Sequence, residues 1–383
     1  MRKCLILLLF VALEGCFVDP VKDPDPLPYD SFFELEVPAD FNWSCINQPH
    51  IIVNFKHNGA ITTALDNTLV ELYDNANNLL DLLTIQNGLV DLNPIIPATV
   101  DMLKLKVMAT GESVQIDAGA STVDYIVENI SAKVVPKMGN AGIEIQGSST
   151  YSLFENSWPL KDDFDFNDVV VKTTCRWQRN AENFITEIAV VCNIEAIDVS
   201  LDWGLGFELF GLEGHEIYYL GDVMRSVNEA EKDENVKNGI VAVSSLKELK
   251  VGTTEFRIAL NENELKNFLF IPYLFRLNNN GIQIRPFGAP PTQAQDMGLF
   301  SFYDDASPTA WRWDQGSKFA YPLSGEAAFF RSAENYPWAI QFIFDGTFQS
   351  CREGISIVSD YPTFQDWAES GGKSAKDWYN NPL

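Results

Sequence analysis

The chain has 383 residues, of which 46% are hydrophobic and 21% are charged. This mixture is typical of a globular protein with a large core, and it excludes a disordered chain, a coiled coil and a collagen-like fibre. The 53 acidic residues outnumber the 27 basic residues and give a formal net charge of -26. Because such a surface repels phosphate backbones, we expect no nucleic-acid partner.

The N-terminus has the features of an export signal that ends at a lipidated cysteine. Two basic residues precede an apolar run at 4–13, which is too short to span a bilayer but has the length of a signal h-region. The residues Leu-Glu-Gly-Cys at 13–16 resemble a bacterial lipobox, which implies cleavage before Cys16 and acylation of that cysteine. The sequence predicts a signal peptide at 1–15 and a lipid anchor in the bacterial cell envelope, with the outer membrane as the expected location. The alternative is a plain secretory signal with an incidental cysteine.

Composition and patterning divide the remainder into a spacer and two β domains. Residues 16–30 combine several prolines with charged residues, which favours an extended, unpaired spacer. From residue 31 onward, short apolar runs are separated by turn residues, a pattern typical of all-β proteins. We predict an immunoglobulin-like or prealbumin-like β-sandwich at 31–130 and a larger, jelly-roll-like β-sandwich with few short helices at 131–383.

The predicted elements follow from local patterns along the chain. Runs with alternating or β-branched residues predict strands at 33–37, 50–55, 68–73, 103–107 and 114–117. The dipeptide Asn87-Gly88 predicts a hairpin turn within 79–92, where a helix is the alternative. Runs at 169–177 and 184–194 predict a long hairpin, and the segment at 363–370, which two glycines end, predicts a helix.

Four cysteines lie in the predicted β domains: Cys45, Cys175, Cys192 and Cys351. The sequence alone cannot choose among the pairings that they allow. The predicted hairpin brings Cys175 and Cys192 onto neighbouring strands, so this pair is the favoured disulfide. Four buried free thiols are an equally open alternative, because a large core does not need cross-links.

An acidic segment directly before the predicted hairpin is the strongest candidate for a functional site. Oxygen-bearing side chains stand at Asp163, Asp165 and Asn167, and Asp162 and Asp168 flank them. Neighbouring carboxylates repel one another, and a hard divalent cation removes that repulsion. Calcium binds about six to eight oxygens, and these residues can share one ion only if 162–167 is curled rather than extended. The sequence predicts a calcium site in a turn; a backbone-bonded acidic turn is the main alternative, and catalytic carboxylates are a lesser one.

The same segment carries a family resemblance. Residues 154–171 contain Phe154-Glu155, Trp158-Pro159 and the unbroken run from Asp163 to Asp168, and they resemble the signature of LruC-domain proteins, a family of bacterial surface lipoproteins. The segments at 283–292 and 337–379 look like later parts of that family. The resemblance implies a lipid-anchored, all-β protein, and it implies no known reaction.

Two kinds of function are compatible with these features. The spacer and the tandem β domains favour a non-enzymatic protein of the cell surface, a binding, adhesion or structural module whose partner is an unidentified protein or glycan. The alternative is a component that binds or hydrolyses glycans through Asp/Glu pairs and surface tryptophans, with Trp311 and Trp313 as the candidate sugar contacts. Because the sequence contains no nucleophile motif such as G-x-S-x-G, we expect a non-enzymatic role.

Overall fold

The computed structural model of the protein describes residues 30–38, 41–128, 144–158, 163–211, 223–227, 231–236, 238–249, 251–260, 265–286, 289, 291–292, 294–295, 330 and 335–383. Several predictions concern residues outside these ranges: the signal peptide, Cys16, Asp162, Trp311 and Trp313.

Strands dominate the described part of the chain. In chain order they are β1 (Ser44–Asn47), β2 (Ile51–His57), β3 (Ala60–Ile61), β4 (Leu69–Tyr73), β5 (Leu79–Thr84), β6 (Leu89–Leu92), β7 (Ile96–Pro97), β8 (Met102–Val107), β9 (Ser113–Asp117), β10 (Thr122–Ile126), β11 (Glu144–Gln146), β12 (Thr150–Phe154), β13 (Val169–Arg179), β14 (Ile185–Ile197), β15 (Trp203–Gly211), β16 (Val223–Val227), β17 (Glu231–Lys232), β18 (Gly239–Val243), β19 (Gly252–Ala259), β20 (Phe268–Arg276), β21 (Asn279–Ile284) and β22 (Ala339–Ile343). The helices are α1 (Asp30–Phe33), α2 (Leu246–Leu249), α3 (Ile357–Asp360), α4 (Thr363–Glu369) and a 3-10 helix at Trp378–Asn380. Across the described ranges, none of them has the length and apolarity that crossing a bilayer requires. The predicted all-β fold class is confirmed.

Two four-stranded sheets form the smaller sandwich. In one sheet β2 pairs with β10, β6 and β3, and in the other the order is β5-β4-β8-β9. Side chains alternate between core and surface, so Ile51, Val53 and Phe55 of β2 are fully buried. The turn between β5 and β6 has Asn87 at φ 53° and Gly88 at φ 72°. Two positive φ angles are what a tight hairpin turn requires, so the helical alternative at 79–92 is excluded.

A nine-stranded sheet and a five-stranded sheet form the larger sandwich. The first has the order β16-β19-β14-β13-β12-β22-β1-β7, with β11 also paired to β13, and the second has the order β17-β18-β15-β20-β21. The long hairpin that the sequence predicts is present as β13 and β14. Both sheets contribute to one core, in which the rings of Phe207 and Phe256 lie 6.0 Å apart between centroids.

The first described residues belong to the core of the larger sandwich. Phe32 of α1 and Trp43 are fully buried there, although the predicted boundary groups them with the domain at 31–130. The reason is that β1 pairs in parallel with β22, close to the other end of the chain. The strand predicted at 33–37 is wrong, because α1 ends at Phe33 and no strand follows within 34–38. Phe32 and Leu35 are the buried residues of this segment, and their spacing is that of one helical turn.

Polar contacts fasten the two sandwiches to each other. Arg179, the last residue of β13, donates hydrogen bonds of 3.1 and 2.7 Å to the carboxylate of Asp81 in β5. In the turn after β13, Asn183 exchanges hydrogen bonds of 2.7 and 2.8 Å with the backbone of Thr84. Trp177 packs beside them against an apolar cluster that includes residues of β4, β5 and β11. The junction is therefore a packed contact with a buried ion pair.

The C-terminal segment closes one end of the larger core. The predicted helix at 363–370 is present as α4, and it buries Phe364 and Trp367. It ends at Glu369, and Gly371 and Gly372 follow with φ angles of 64° and 75°, which suit residues without a side chain. The ring of Phe364 lies 4.9 Å from that of Trp378 in the 3-10 helix, so the chain end is held by aromatic packing.

Candidate functional site

The acidic segment is the connection between two paired strands. Strand β12 runs antiparallel to β13, with Phe154 opposite Val169. Glu155 and Asp168 therefore lie next to each other at the base of the connecting loop. The backbone N–H of Glu155 donates to the carbonyl of Trp338 at 2.9 Å. The described part of the loop, 155–158 and 163–168, forms no strand, as the predicted turn requires.

Two buried phenylalanines shape the loop. Phe164 and Phe166 both have a φ of 54°, a left-handed conformation that bulky residues rarely adopt and that costs of order 1–3 kcal/mol each. Both side chains are fully buried, and the ring of Phe164 stacks on Phe32 with centroids 4.4 Å apart. Aromatic packing therefore holds the backbone in this shape. It also holds Asp165, which stands between the two rings in sequence and is 1% exposed.

Three carboxylates converge inside this loop. One oxygen each from Glu155, Asp163 and Asp165 lies within 4.8 Å of the others. Glu155 is fully buried, Asp165 is almost fully buried, and Asp163 is half-buried. At an effective dielectric constant of 20, two unit charges 4.8 Å apart repel by about 3.5 kcal/mol. A positive charge or a proton that joins the cluster would relieve this repulsion.

The surroundings of Asp165 disfavour the ionised form of its carboxyl group. Burial, and secondarily the charge of Asp163, raises the pKa of Asp165 to about 7. Two backbone N–H groups oppose this shift, those of Asn167 at 3.0 Å and of Gly354 at 2.9 Å. The side-chain amide of Asn167 also donates to Asp165, at 2.9 Å. The position of Asp165 is thus fixed by bonds, while its full negative charge is disfavoured.

Asn167 adds a fourth oxygen next to the cluster. Its side chain is 6% exposed, and its amide group donates to Asp165 and, at 3.3 Å, to the carbonyl of Cys351. Its amide oxygen, Oδ1, is buried and makes no hydrogen bond to the chain. A buried amide oxygen without a partner costs free energy, and amide oxygens are common calcium ligands.

The geometry of the oxygens suits calcium. Oxygens that bind one calcium ion at about 2.4 Å are separated by at most about 4.8 Å, and the three carboxylate oxygens lie within this distance of one another. The donor set consists of carboxylates, with an amide oxygen beside them, and hard divalent cations prefer such ligands.

The structure brings together some of the predicted calcium ligands but not all of them. Asp163 and Asp165 face each other, and Asn167 lies beside them. Asp168 points elsewhere, because its carboxylate accepts a hydrogen bond from the backbone N–H of Asn156 at 2.7 Å. The sequence analysis missed Glu155. The pairing of β12 with β13 was the signal that could have found it, since that pairing returns Glu155 to the start of β13.

The disulfide predicted between Cys175 and Cys192 is absent, and both residues are free thiols. Cys192 lies opposite Thr173, while Cys175 lies opposite Val190, so the two cysteines are diagonal neighbours on β13 and β14. Diagonal positions are about 7–8 Å apart, beyond the usual span of a disulfide. Burial raises the pKa of Cys175 to about 12 and raises that of Cys192 as well, so neither thiol is activated.

Comparisons with known proteins give a limited classification. A family model described as "Domain of unknown function (DUF4842)" matches residues 217–379, less than half of the chain and beyond the acidic loop. The resemblance to LruC-domain proteins therefore stays a prediction. No curated protein matches the chain. A solved structure of a "Putative lipoprotein" from Bacteroides ovatus is 15% identical, covers 83% of this chain and 98% of its own, and has a TM-score of 0.48. That similarity is too distant to support an inference about this chain.

Proposed function

We propose that the protein is a non-enzymatic, lipid-anchored component of the bacterial cell envelope whose acidic loop binds calcium. In this proposal the ion joins Glu155, Asp163 and Asp165 and fixes the loop against the C-terminal segment. The convergence of the three carboxylate oxygens within 4.8 Å is the observation that carries the calcium site. The lipid anchor is supported by the export signal and the lipobox-like residues at 13–16.

The loop is placed to connect distant parts of the chain. Asp165 accepts a hydrogen bond from Gly354, and the carbonyl of Phe164 accepts one from Ile357 at 3.0 Å. Asn167 contacts Cys351 in the same segment. A cation that neutralises the loop would therefore also stabilise residues 351–357 and, through them, α3 and α4. This arrangement favours a structural role for the ion.

The burial of the carboxylates supports a non-enzymatic role. A catalytic carboxylate must reach a substrate atom at hydrogen-bonding distance. Glu155 is 0% exposed and Asp165 is 1% exposed, so a substrate cannot contact them in this conformation. A single dehydrated ion is small enough to be enclosed there. Display on a spacer above the membrane is then consistent with a binding, adhesion or structural module.

A calcium titration of the full chain after treatment with a chelator tests the cation site. A ligand at 100 times its dissociation constant stabilises the folded state by about 2.7 kcal/mol, so the melting temperature should rise by several degrees. Asp163→Asn and Asp165→Asn should abolish the rise. Asp168→Asn is the matched control, because this carboxylate bonds to Asn156 outside the cluster, and it should keep the calcium response.

Two results would contradict the calcium site. One is a melting temperature that does not change in millimolar calcium. The other is a rise of equal size in wild type and Asp163→Asn.

The lipid anchor has a separate test. Cys16→Ser should move the protein from the membrane fraction to the soluble fraction, and the mass of the wild-type N-terminal peptide should include acyl chains. An unmodified N-terminal peptide in the wild type would disprove the anchor.

A further inference from the structure

A cleft lies at the junction of the two sandwiches, away from the acidic loop. It holds about 980 Å³ of empty volume, a figure that includes open solvent. The face of β12, β13 and β22 forms its floor, β20 forms the opposite wall, and β5 with the loop at 93–95 forms its rim. We call it the junction cleft. Junctions of this kind are frequent positions for ligand sites.

The floor carries small polar side chains where a sandwich core usually has large aliphatic ones. Thr150 and Ser152 of β12 are flanked by Thr173 of β13 and Gln341 of β22. The strand register places Thr150 opposite Thr173 and Ser152 opposite Gln341. Ser152 accepts a hydrogen bond from Gln341 at 2.9 Å. The short side chains leave space above the sheet, and their polar groups make that space favourable for a ligand that forms hydrogen bonds.

Further polar groups in the cleft are available to a ligand. Within the described ranges, the side chains of Ser148, Thr150 and Asn267 line the cleft and make no hydrogen bond. They offer two hydroxyl groups and one amide, each of which can donate and accept. Across from the floor, Phe268 presents an aromatic ring beside Trp177, with centroids 5.6 Å apart. The cleft therefore combines an apolar aromatic wall with hydroxyl and amide groups.

The lining carries no net charge. Arg179 and Asp81 are its charged members, and they bind each other at 2.7 Å with side chains that are 3% and 10% exposed. Among the other described lining residues there is no acidic or basic side chain, and burial keeps the Cys175 thiol neutral by raising its pKa to about 12. A charged ligand would lose its hydration there and gain no opposite charge. The cleft therefore suits an uncharged ligand.

We propose that the junction cleft binds a neutral saccharide. A sugar ring has an apolar face of C–H groups, which stacks on aromatic rings, and a rim of hydroxyl groups, which bond to Ser, Thr, Asn and Gln side chains. An acyl chain fits less well, because it would leave the polar floor without partners. An extended peptide lacks a free strand edge, since β12 and β20 are each paired on both sides.

This site is independent of the proposed calcium site, with which it shares no residue. Isothermal titration calorimetry of the full chain with a panel of neutral disaccharides and trisaccharides of glucose, galactose, mannose and xylose tests it. Decanol serves as the uncharged acyl-chain probe, and an uncharged tetrapeptide serves as the peptide probe. At least one neutral saccharide should bind saturably. Asn267→Ala should weaken that binding about 3- to 10-fold, the effect of one lost hydrogen bond, and Ser152→Leu, which fills the floor, should abolish it.

Two measurements keep the test decisive. Asn193→Ala is the matched control, because Asn193 is a half-buried asparagine of β14 that does not line the cleft, and it should leave the affinity unchanged. Hydrogen–deuterium exchange on the wild-type chain should show that the saccharide protects β12, β20 and β22, so the result does not depend on the folding of Ser152→Leu. The proposal is overturned if no saccharide of the panel binds, if decanol or the peptide alone binds, or if protection appears elsewhere.

Discussion

Removal of the Asp81 carboxylate should leave a buried positive charge at the junction of the two sandwiches. The side chain of Arg179 is 3% exposed, and it also donates to the backbone carbonyls of Asn183 and Lys266, so it cannot turn toward water. Breaking a buried ion pair in this way costs about 3–5 kcal/mol. We expect Asp81→Ala to lower the free energy of unfolding by this amount, out of a total of roughly 5–15 kcal/mol.

Urea unfolding followed by tryptophan fluorescence measures this loss. Glu187→Ala is the matched control, because Glu187 binds Arg257 at 2.6 Å but the two side chains are 24% and 32% exposed. Solvent weakens such a pair, so its loss should cost at most about 1 kcal/mol. The double variant Asp81→Leu/Arg179→Met removes both charges and should return to within about 1–2 kcal/mol of wild type, since no buried charge remains.

The stability losses of Asp81→Ala, Glu187→Ala and the double variant together test whether an uncompensated buried charge is the cause. If Asp81→Ala costs no more than Glu187→Ala, then Arg179 reaches water without its partner, and the junction is not held as the distances indicate. If the double variant is as unstable as Asp81→Ala, the loss comes from packing or from the backbone bonds of Arg179. In that case the explanation by an uncompensated charge is wrong.

Two further predictions concern packing and acid stability. A Cβ at Gly206 would lie 2.3 Å from the buried Tyr273 ring, so Gly206→Val should lower the free energy of unfolding by about 1–3 kcal/mol; Gly252→Val, where nothing lies within 4 Å, is the control, and an equal loss in both would contradict the clash. Burial acts to raise the pKa of Glu71, but hydrogen bonds, first of all from Lys106, outweigh burial and lower that pKa below its ordinary value. The ionised carboxylate therefore stabilises the folded state above the unfolded pKa, and this contribution is lost as the pH falls through the lower folded pKa. Lys106→Met should move the acid-unfolding midpoint to higher pH, and an unchanged midpoint would show that the lowered pKa contributes nothing.

The fold class could be predicted because its signals are local. Alternation in β2 reports a strand with one buried face, and Asn87-Gly88 reports a turn with two positive φ angles. The place of the first residues could not be predicted in this way. Phe32 and Trp43 pack in the core of the larger sandwich because β1 pairs with β22, and no pattern within 30–47 contains information about a strand near the other end of the chain.

The candidate site could be predicted only in part, because only part of it is determined by residues close together in sequence. Asp163 and Asp165 are two positions apart, so a curled backbone is enough to bring them together. Glu155 joins them only through the register of β12 and β13, which a sequence without an alignment does not specify. The prediction of a disulfide between Cys175 and Cys192 was wrong because it also depended on strand register. The hairpin was predicted correctly, but a shift of two residues in register decides whether two cysteines are opposite or diagonal.

Strand β12 lines the junction cleft and leads directly into Glu155 of the acidic loop, yet this does not couple the two sites. A ligand changes the affinity of a second site only if the protein has two arrangements to which the first ligand binds unequally. β12 is paired with β13 and β22, and Glu155, which follows β12, donates a backbone hydrogen bond to Trp338. These hydrogen bonds hold the floor of the junction cleft in the same position with and without calcium. The groups that calcium would draw together are Glu155, Asp163 and Asp165, and none of them is part of the described lining of the cleft. Calcium should therefore raise the melting temperature and leave the affinity for a saccharide unchanged.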